Sequence, residues 1–154
     1  MSTPLPQPKK KDPQKRSVAA TRPPEMRSRA AMHLTAAAAE GRLVMQCCSE
    51  CNEVLYPPRD ACSNCLGTDL YIQDIASSGQ LIAETTIHAS PRLFFRERLP
   101  WRTGTIKLDA GPVILAHVHP DVTKHARVHV EHRLDRAGQG VFVALPEQAT
   151  PNME

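Results

Sequence analysis

Hydrophobic and polar positions alternate in short runs along the second half of the chain. Five such runs, rich in Val, Ile, Leu and Thr, are separated by turns that contain Gly, Pro or Asp. The runs cover residues 79–90, 103–109, 112–119, 125–134 and 140–146. Because edge strands of this length need closure or cover, the five runs fit a small closed barrel better than a sandwich. We therefore predict a mainly β protein.

A second periodicity lies before these strands. Residues 25–40 follow a pair of prolines, begin with a glutamate, contain many alanines and end before Gly41, and all of these are helix signals. Apolar positions recur at spacings of three and four and form a thin stripe of Met26, Ala30, His33, Leu34, Ala37 and Ala38. The stripe can pack on the barrel of the same chain or on another chain. A helix this polar gains little stability by itself, and this favours another chain.

The net charge of +3 is unevenly divided along the chain. Residues 1–29 carry +6 and the remainder carries −3, so the basic character belongs to the N-terminal end. Residues 1–24 hold six prolines among lysines and almost nothing apolar, so we predict a disordered basic tail there. Residues 148–154 are predicted to form a C-terminal tail. The body between the tails is mildly acidic.

Signals for a membrane or for export are not found in this sequence. No run approaches the roughly eighteen apolar residues of a membrane helix, and the N-terminus lacks the apolar core of a signal peptide. Five cysteines, an odd number arranged around C-x-x-C pairs, indicate metal binding in a reducing compartment rather than disulfides. We therefore expect a soluble, cytoplasmic protein with no membrane partner.

The strongest chemical signal is a pair of C-x-x-C motifs separated by ten residues. The four cysteines are Cys48, Cys51, Cys62 and Cys65. Each short loop turns both sulfurs toward one metal ion, and two such loops complete a tetrahedron with Zn–S distances of about 2.3 Å. Asn52 and Gly67 supply residues that tolerate the left-handed backbone that such loops need. No coordination position is left open, so we predict a structural zinc that holds a small β-ribbon together.

Two alternatives compete with this assignment. An iron redox centre uses the same four thiolates, but usually with a far longer gap between the pairs. Cys47 could replace Cys48 through its own spacing to Cys51, yet the spacing from Cys48 repeats that of the second pair. Alternation along the strand predicted at 43–46 also places Cys47 on one face with Leu43 and Met45. We therefore predict that Cys47 is a small buried apolar residue.

Several short motifs follow one another in an order that is specific, although no single motif is. They are Glu40-Gly41-Arg42-Leu43, Cys48-x2-Cys51, Tyr56-Pro57-Pro58-Arg59, Cys62-x2-Cys65, Ser78-Gly79-Gln80-Leu81, Thr86-Ile87-His88 and, after a long loop, Ile106-Lys107-Leu108-Asp109-Ala110-Gly111-Pro112. This order resembles the DUF35 family over residues 33–146. The resemblance implies that the helix predicted above, at 25–41, is followed by a rubredoxin-like zinc ribbon at 42–73 and a five-stranded OB-fold at 74–147.

Proteins of the DUF35 family are usually accessory subunits of thiolase-superfamily enzymes that act on coenzyme A (CoA) thioesters. Known settings include the bridge between acetoacetyl-CoA thiolase and hydroxymethylglutaryl-CoA synthase in archaea, benzoylsuccinyl-CoA thiolase, and steroid side-chain aldolases. The resemblance therefore implies a thiolase-like partner subunit that carries the catalytic cysteine and histidines, in a hetero-oligomer such as α2β2. This chain would be a non-catalytic subunit that stabilises the partner and helps shape the CoA thioester site for thiolytic or retro-aldol cleavage.

Three of the six aromatic residues and four arginines lie in one inter-strand segment, residues 92–102, which we name the aromatic loop. Aromatic and arginine side chains are the usual anchors of interfaces, and arginine matches the geometry of phosphate groups. The aromatic side chains could instead cap the end of the barrel, and both roles can hold at once. His88 matches a histidine often found at this place in DUF35 proteins. The residues predicted to face CoA or the partner are His88, Phe94, Phe95, Arg96, Arg98, Trp101 and Arg102.

Histidines are frequent in the last part of the chain, which departs from the family pattern. His117 and His119 lie two residues apart on one strand face, and His125 and His129 alternate outward on the next run. These side chains either form a second metal site or lie on the surface of the barrel.

A stand-alone module that binds nucleic acid or protein is the rival interpretation. Nucleic acid binding by an OB-fold needs aromatic residues on the strands and a basic groove, whereas these strands are aliphatic or histidine-rich and the body is net negative. No Cys/His or Ser/His/Asp grouping can be built from the sequence, so we expect no catalysis by this chain alone.

Overall fold

The structure, a computed structural model, describes residues 31–147. Predictions for residues 1–24, for the first part of the helix at 25–41 and for residues 148–154 lie outside the described residues. The helices are α1 (Met32–Ala39) and α2 (Leu93–Arg96), and the strands are β1 (Val44–Cys48), β2 (Val54–Leu55), β3 (Leu70–Asp74), β4 (Ser78–Ile87), β5 (Trp101–Leu108), β6 (Val113–Val118), β7 (Arg127–Leu134) and β8 (Gly140–Pro146). Neither of these helices is long and apolar enough to cross a membrane.

The first three strands form an antiparallel sheet in the order β2-β1-β3, and we name residues 42–74 the ribbon. The central strand β1 is buried on both faces, so its residues do not alternate between buried and exposed. On one face Met45 joins the core of the barrel, and on the other face Val44 packs against α1. β1 therefore connects the ribbon to both the barrel and the helix.

The remaining five strands close into a barrel in the order β4-β5-β6-β8-β7, with β7 paired back to β4. All neighbouring pairs are antiparallel except β6 and β8. Along β6, buried Ile114, Ala116 and Val118 alternate with more exposed residues, which is the two-residue period of a strand. The core is aliphatic apart from Met45 and Phe142. The prediction of a mainly β protein with a five-stranded barrel is therefore confirmed.

Helix α1 packs on its own chain, mostly against β7 and β8. Its buried residues Leu34, Ala37 and Ala38 belong to the predicted apolar stripe. A Cβ atom at Gly140 would lie 3.1 Å from Ala38 Cβ and 3.2 Å from the Leu34 carbonyl oxygen, so the missing side chain lets the helix approach the barrel. The expectation that this stripe docks on another chain is therefore wrong for the described part of the helix.

The last hairpin differs from the prediction at its start. The run at 125–134 was expected to form a strand throughout, but β7 begins at Arg127. His125 has a φ of 58°, and the Ala126 N–H donates to the Thr123 carbonyl at 3.2 Å. His125 therefore belongs to a turn, because its left-handed backbone cannot continue into an extended strand.

Candidate metal centre and aromatic loop

Four sulfur atoms converge in the ribbon. The Sγ atoms of Cys48, Cys51, Cys62 and Cys65 all lie within 4.8 Å of one another. Two pairs are closer, with Sγ–Sγ distances of 3.5 Å for Cys48 and Cys65 and 3.6 Å for Cys51 and Cys62. A tetrahedral zinc with Zn–S distances of about 2.3 Å requires sulfurs about 3.8 Å apart. The four side chains therefore fit such an ion.

The electrostatics of this group also suit a cation. Backbone N–H groups of Cys65 and Asn64 lower the pKa of Cys62 to about 7. The Gly67 N–H lowers the pKa of Cys65, but the neighbouring thiols, Cys48 first, and desolvation together outweigh it and raise that pKa to about 12. Sulfurs this close oppose one another's ionisation, and a dication that accepts four thiolates removes this opposition. The donor set is therefore suited to binding a metal ion.

The two cysteine loops have the same backbone hydrogen bonds. In the first loop the Asn52 N–H donates to the Cys48 carbonyl at 2.9 Å, and the Cys48 N–H donates to the carbonyl five residues later at 3.0 Å. In the second loop the Leu66 N–H donates to the Cys62 carbonyl at 3.1 Å, and the Cys62 N–H donates to the carbonyl five residues later at 2.8 Å. Asn52 and Leu66 therefore occupy equivalent positions.

The left-handed residue of the second loop is Leu66 rather than Gly67. The φ angle is 58° at Asn52 and 63° at Leu66. At Gly67 the φ is not in this region, and a Cβ atom there would lie 2.6 Å from the carboxyl group of Glu50. The prediction is wrong at Gly67 because the register of the loop hydrogen bonds decides which residue becomes left-handed. The nearest glycine does not decide it.

Cys47 is not a member of the four-cysteine group. Its side chain is 2% exposed, and burial raises the pKa of its thiol. A buried thiol with a raised pKa is a poor nucleophile and a poor metal ligand. Cys47 is therefore a buried apolar residue, as predicted.

The aromatic rings of the aromatic loop pack on one another. Ring centroids are 5.2 Å apart for Phe94 and Phe95 and 5.5 Å apart for Phe95 and Trp101. The Trp101 Nε1–H donates to His117 Nδ1 at 2.9 Å, which ties the loop to β6. Within residues 31–147, the barrel core includes none of these three rings. The rings are half-buried and form a cluster beside the core rather than a cap inside it.

Arg102 holds the turn that follows β6. Its guanidinium donates to the carbonyls of residues 119, 120 and 122 at 2.9 Å each, and also to the Glu84 carboxylate. We predicted that this side chain faces CoA or the partner. The structure corrects that prediction, because acceptors of the chain itself occupy the guanidinium.

The other arginines of the aromatic loop divide into two groups. The Arg98 guanidinium carbon lies 4.0 Å from the centre of the Phe94 ring, and the side chain donates to the Phe94 carbonyl at 2.7 Å. The half-buried Arg96 and the exposed Arg92 have no side-chain hydrogen bond or ion pair within the described part of the chain. Arg92 and Arg96 are therefore the arginines that remain available to an outside anion.

The predicted histidines lie apart from one another. His88 is exposed and directly follows β4. His117 accepts the hydrogen bond from Trp101, and His119 Nδ1 accepts one from the Asp121 N–H at 3.3 Å. Among residues 31–147, the four cysteines are the only group of three or more ligand-type side chains close enough to hold a metal ion. The histidines therefore do not build a second site of that kind.

A serine and a histidine meet where the sequence predicted no such pair. Ser77 Oγ lies 2.9 Å from His129 Nδ1 at the surface. No carboxylate between residues 31 and 147 is hydrogen-bonded to His129. A serine nucleophile needs a base that is itself oriented by a third group, so this pair lacks part of that arrangement.

His132 is the buried polar residue that the sequence reasoning missed. It is 3% exposed, its ring stacks on Phe142 with centroids 4.7 Å apart, and its Nδ1 lies 3.3 Å from the Arg42 carbonyl oxygen. The signal was available, because His132 lies on the same strand face as Val128 and Val130. His132 therefore joins the ribbon to the barrel.

Comparison with protein families gives the same division into two parts. Residues 35–70 match the model of the ChsH2 rubredoxin-like zinc ribbon domain, and residues 73–136 match that of the ChsH2 C-terminal OB-fold domain. Together these matches cover about two thirds of the chain. No curated protein matches the chain.

Among solved structures, the Ltp2-ChsH2(DUF35) aldolase contains a chain of similar fold. The TM-score is 0.67 and the sequences are 22% identical. The alignment covers 80% of this chain and 98% of that chain. At this level of identity the likeness shows the fold.

Proposed function

Because the chain belongs to the ChsH2-type DUF35 family, we propose that it is the non-catalytic subunit of a complex with a thiolase-like enzyme that acts on acyl-CoA thioesters. The observation that carries this proposal is the succession of the two ChsH2 matches within one chain, ribbon first and OB-fold second. The similar solved structure is an aldolase named for two components, Ltp2 and ChsH2(DUF35). The proposed reaction is retro-aldol or thiolytic cleavage of a carbon–carbon bond.

The proposed cofactor of this chain is a structural zinc. Zn2+ would join the two cysteine loops through Cys48, Cys51, Cys62 and Cys65, and four thiolates leave no position for a substrate. The inner ligands Cys48 and Cys62 are at most 1% exposed, which suits a site that excludes solvent. With Cys47 buried, the catalytic cysteine and histidines belong to the partner in this proposal.

The aromatic loop is the proposed contact with the partner and with the CoA thioester. Its half-buried rings supply apolar area, and Arg92 and Arg96 can bind the phosphate groups of CoA through charge-assisted hydrogen bonds. Arg98 donates within the loop and Arg102 donates to the turn after β6, so the donors of both are used within the chain. The exposed His88 precedes the loop and is proposed to face the same site.

Co-expression with a thiolase-like protein encoded next to this chain tests the proposal. We expect the two proteins to purify together as a hetero-oligomer, such as α2β2, and the thiolase-like protein to lose activity when expressed alone. Activity is measured with β-hydroxyacyl-CoA thioesters for retro-aldol cleavage and with β-ketoacyl-CoA plus CoA for thiolysis. A thiolase-like protein that is fully active without this chain would contradict the proposal.

Arg96→Ala tests the role of the aromatic loop within the purified complex. Loss of one charge-assisted phosphate contact is expected to raise the KM for the CoA thioester about tenfold while kcat and assembly are unchanged. Arg133→Ala is the matched control, because Arg133 lies on β7 and pairs with Glu131. Equal KM values for the two variants would contradict the proposal that the aromatic loop binds the CoA thioester.

A further inference from the structure

Leu66 combines two features that the folding of this chain does not explain. Its φ of 63° lies in the left-handed region, which L-residues with bulky side chains rarely adopt. Its side chain is 78% exposed, the largest exposed fraction among the large apolar residues of the described chain. A single exposed leucine is ordinary on a protein surface, but one held in a strained backbone is not.

The first cysteine loop shows how the same backbone can be built without strain. Its equivalent residue is Asn52, with a φ of 58° and the same hydrogen bond to the carbonyl of the first cysteine. Asparagine and glycine are the residues that adopt this conformation most readily. Folding alone would therefore favour Asn or Gly at position 66, and a leucine there needs another reason.

Contacts within the ribbon do not supply that reason. Leu66 belongs to none of the buried clusters of the described residues, and it is not packed against them. The adjacent Gly67 does not relieve the strain, because the positive φ falls on Leu66 itself. The leucine side chain is thus presented to solvent by a loop that the four cysteines hold in place.

The ribbon that carries Leu66 is net acidic. Residues 42–74 contain five carboxylates, at positions 50, 53, 60, 69 and 74, and only two arginines. A dication on four thiolates would leave a further formal charge of −2. A surface that receives Leu66 should therefore combine an apolar pocket with a basic rim, since like charges would oppose contact.

We propose that Leu66 is an anchor residue that inserts into an apolar, basic-rimmed pocket of the catalytic subunit. This inference rests on the proposed function, because it takes that subunit as the partner. Strained backbone clusters at functional sites, and Leu66 combines such a backbone with an exposed apolar side chain. The ribbon then docks on the partner through the tip of its second cysteine loop, separately from the aromatic loop.

Leu66→Asn and Leu66→Gly test the anchor in the full chain. Both replacements remove the apolar side chain and relieve the backbone. We expect metal content to be unchanged and the thermal midpoint of the isolated chain to be equal or higher. The dissociation constant of the complex, measured by mass photometry on dilution, should rise at least tenfold. Asn52→Gly is the matched control at the equivalent position and should change this constant less than twofold.

Salt dependence tests the second half of the inference. Raising NaCl from about 0.05 M to about 0.5 M should weaken the wild-type complex severalfold, because it screens the acidic ribbon from a basic rim. A dissociation constant that does not change with salt would overturn the inference that the pocket has a basic rim.

The possible outcomes separate the anchor from the proposed function. If wild-type chain and thiolase-like subunit associate and Leu66→Asn retains the wild-type dissociation constant, the anchor is overturned and the proposed function stands. If the wild-type proteins do not associate, both are overturned. A third outcome is that the isolated chain self-associates and that Leu66→Asn abolishes this association. Leu66 then contacts a second copy of this chain, and the assignment to the catalytic subunit is overturned.

Discussion

The ribbon pairs three short strands, whereas the barrel closes five strands around a continuous core. The buried cluster at the cysteine loops consists of Cys48, Leu55 and Cys62. The main core has thirteen buried residues, and only Leu43 and Met45 of these come from the ribbon. A sheet this small buries too little apolar surface to fold by itself and needs a cross-link such as a metal ion. We therefore expect two different sources of stability in one short chain.

The two regions also present different chemistry on their surfaces. The ribbon is acidic and carries the exposed Leu66 at the tip of a cysteine loop. The barrel carries the aromatic loop, where Arg92 and Arg96 lie beside a cluster of rings. A partner that engages both regions needs a basic-rimmed apolar pocket for the first and an apolar or anionic surface for the second. The contrast therefore extends from stability to recognition.

Cys62→Ser should produce the largest difference between the ribbon and the barrel. Loss of one thiolate opens the tetrahedron, and structural zinc sites contribute roughly 10–16 kcal/mol of apparent binding free energy to folding. We expect metal content to fall and the ribbon amide signals to collapse in NMR spectra, while barrel signals stay dispersed. Cys47→Ala is the control and should keep the metal, because Cys47 is buried outside the site. A Cys62→Ser protein with full metal content would refute the structural site.

Ile106→Ala should weaken the barrel and leave the metal centre intact. Ile106 is 0% exposed in the core, and truncation of such a side chain costs about 2–5 kcal/mol in the free energy of unfolding. Urea denaturation measures the loss, and elemental analysis measures the metal. Val113→Ala, at a position 42% exposed, is the control and should cost less than about 1 kcal/mol. Loss of metal together with stability would show that the two regions do not fold independently.

The smallest expected effect is a change in the stability of the barrel with pH. Arg127 donates hydrogen bonds to both carboxylate oxygens of Asp109 and lowers the pKa of that carboxyl group below its ordinary value of 3.8. A lowered folded-state pKa contributes stability that is present above the unfolded-state pKa and is lost as the pH falls through the folded-state pKa. The thermal midpoint of the barrel should therefore decrease when the pH is lowered below about 4. The decrease should be smaller in Asp109→Asn. The effect should be slight, because the pair is at the surface.

Asp60→Asn is the control for this pH series. Asp60 is exposed, and no arginine between residues 31 and 147 pairs with it. Its replacement should leave the pH profile of the barrel unchanged. An Asp109→Asn profile identical to that of the wild type would mean that the pair with Arg127 contributes nothing to stability.

Strands and the metal group were predictable because both depend on short-range order. The two-residue period of residues such as Ile114, Ala116 and Val118 appears directly in the sequence. The spacing within each C-x-x-C motif is also local, so the four sulfurs could be grouped before the fold was known. The assignment of the barrel as an OB-fold followed from the family resemblance rather than from periodicity.

Two features of the structure depend on distant residues and were not predictable. Arg102 bonds to carbonyls 17–20 residues away, and no local pattern announces where those acceptors lie. The helix stripe packs on β8 because Gly140 leaves space for Ala38. Leu66 is a different case, because its left-handed backbone has a local cause. It directly follows the second cysteine of its loop, as Asn52 does, and the loop hydrogen bonds make that residue left-handed although a glycine follows it.

By itself the sequence determined the strand periods, the helix signal and a four-thiolate group, because hydrophobic alternation and motif spacing act over a few residues. Only the tertiary structure decided what each side chain meets. It placed the helix on its own barrel, engaged Arg102 within the chain and left Leu66 exposed. The physical reason is that burial, donor–acceptor pairing and close approach depend on surfaces that meet only when the chain has folded.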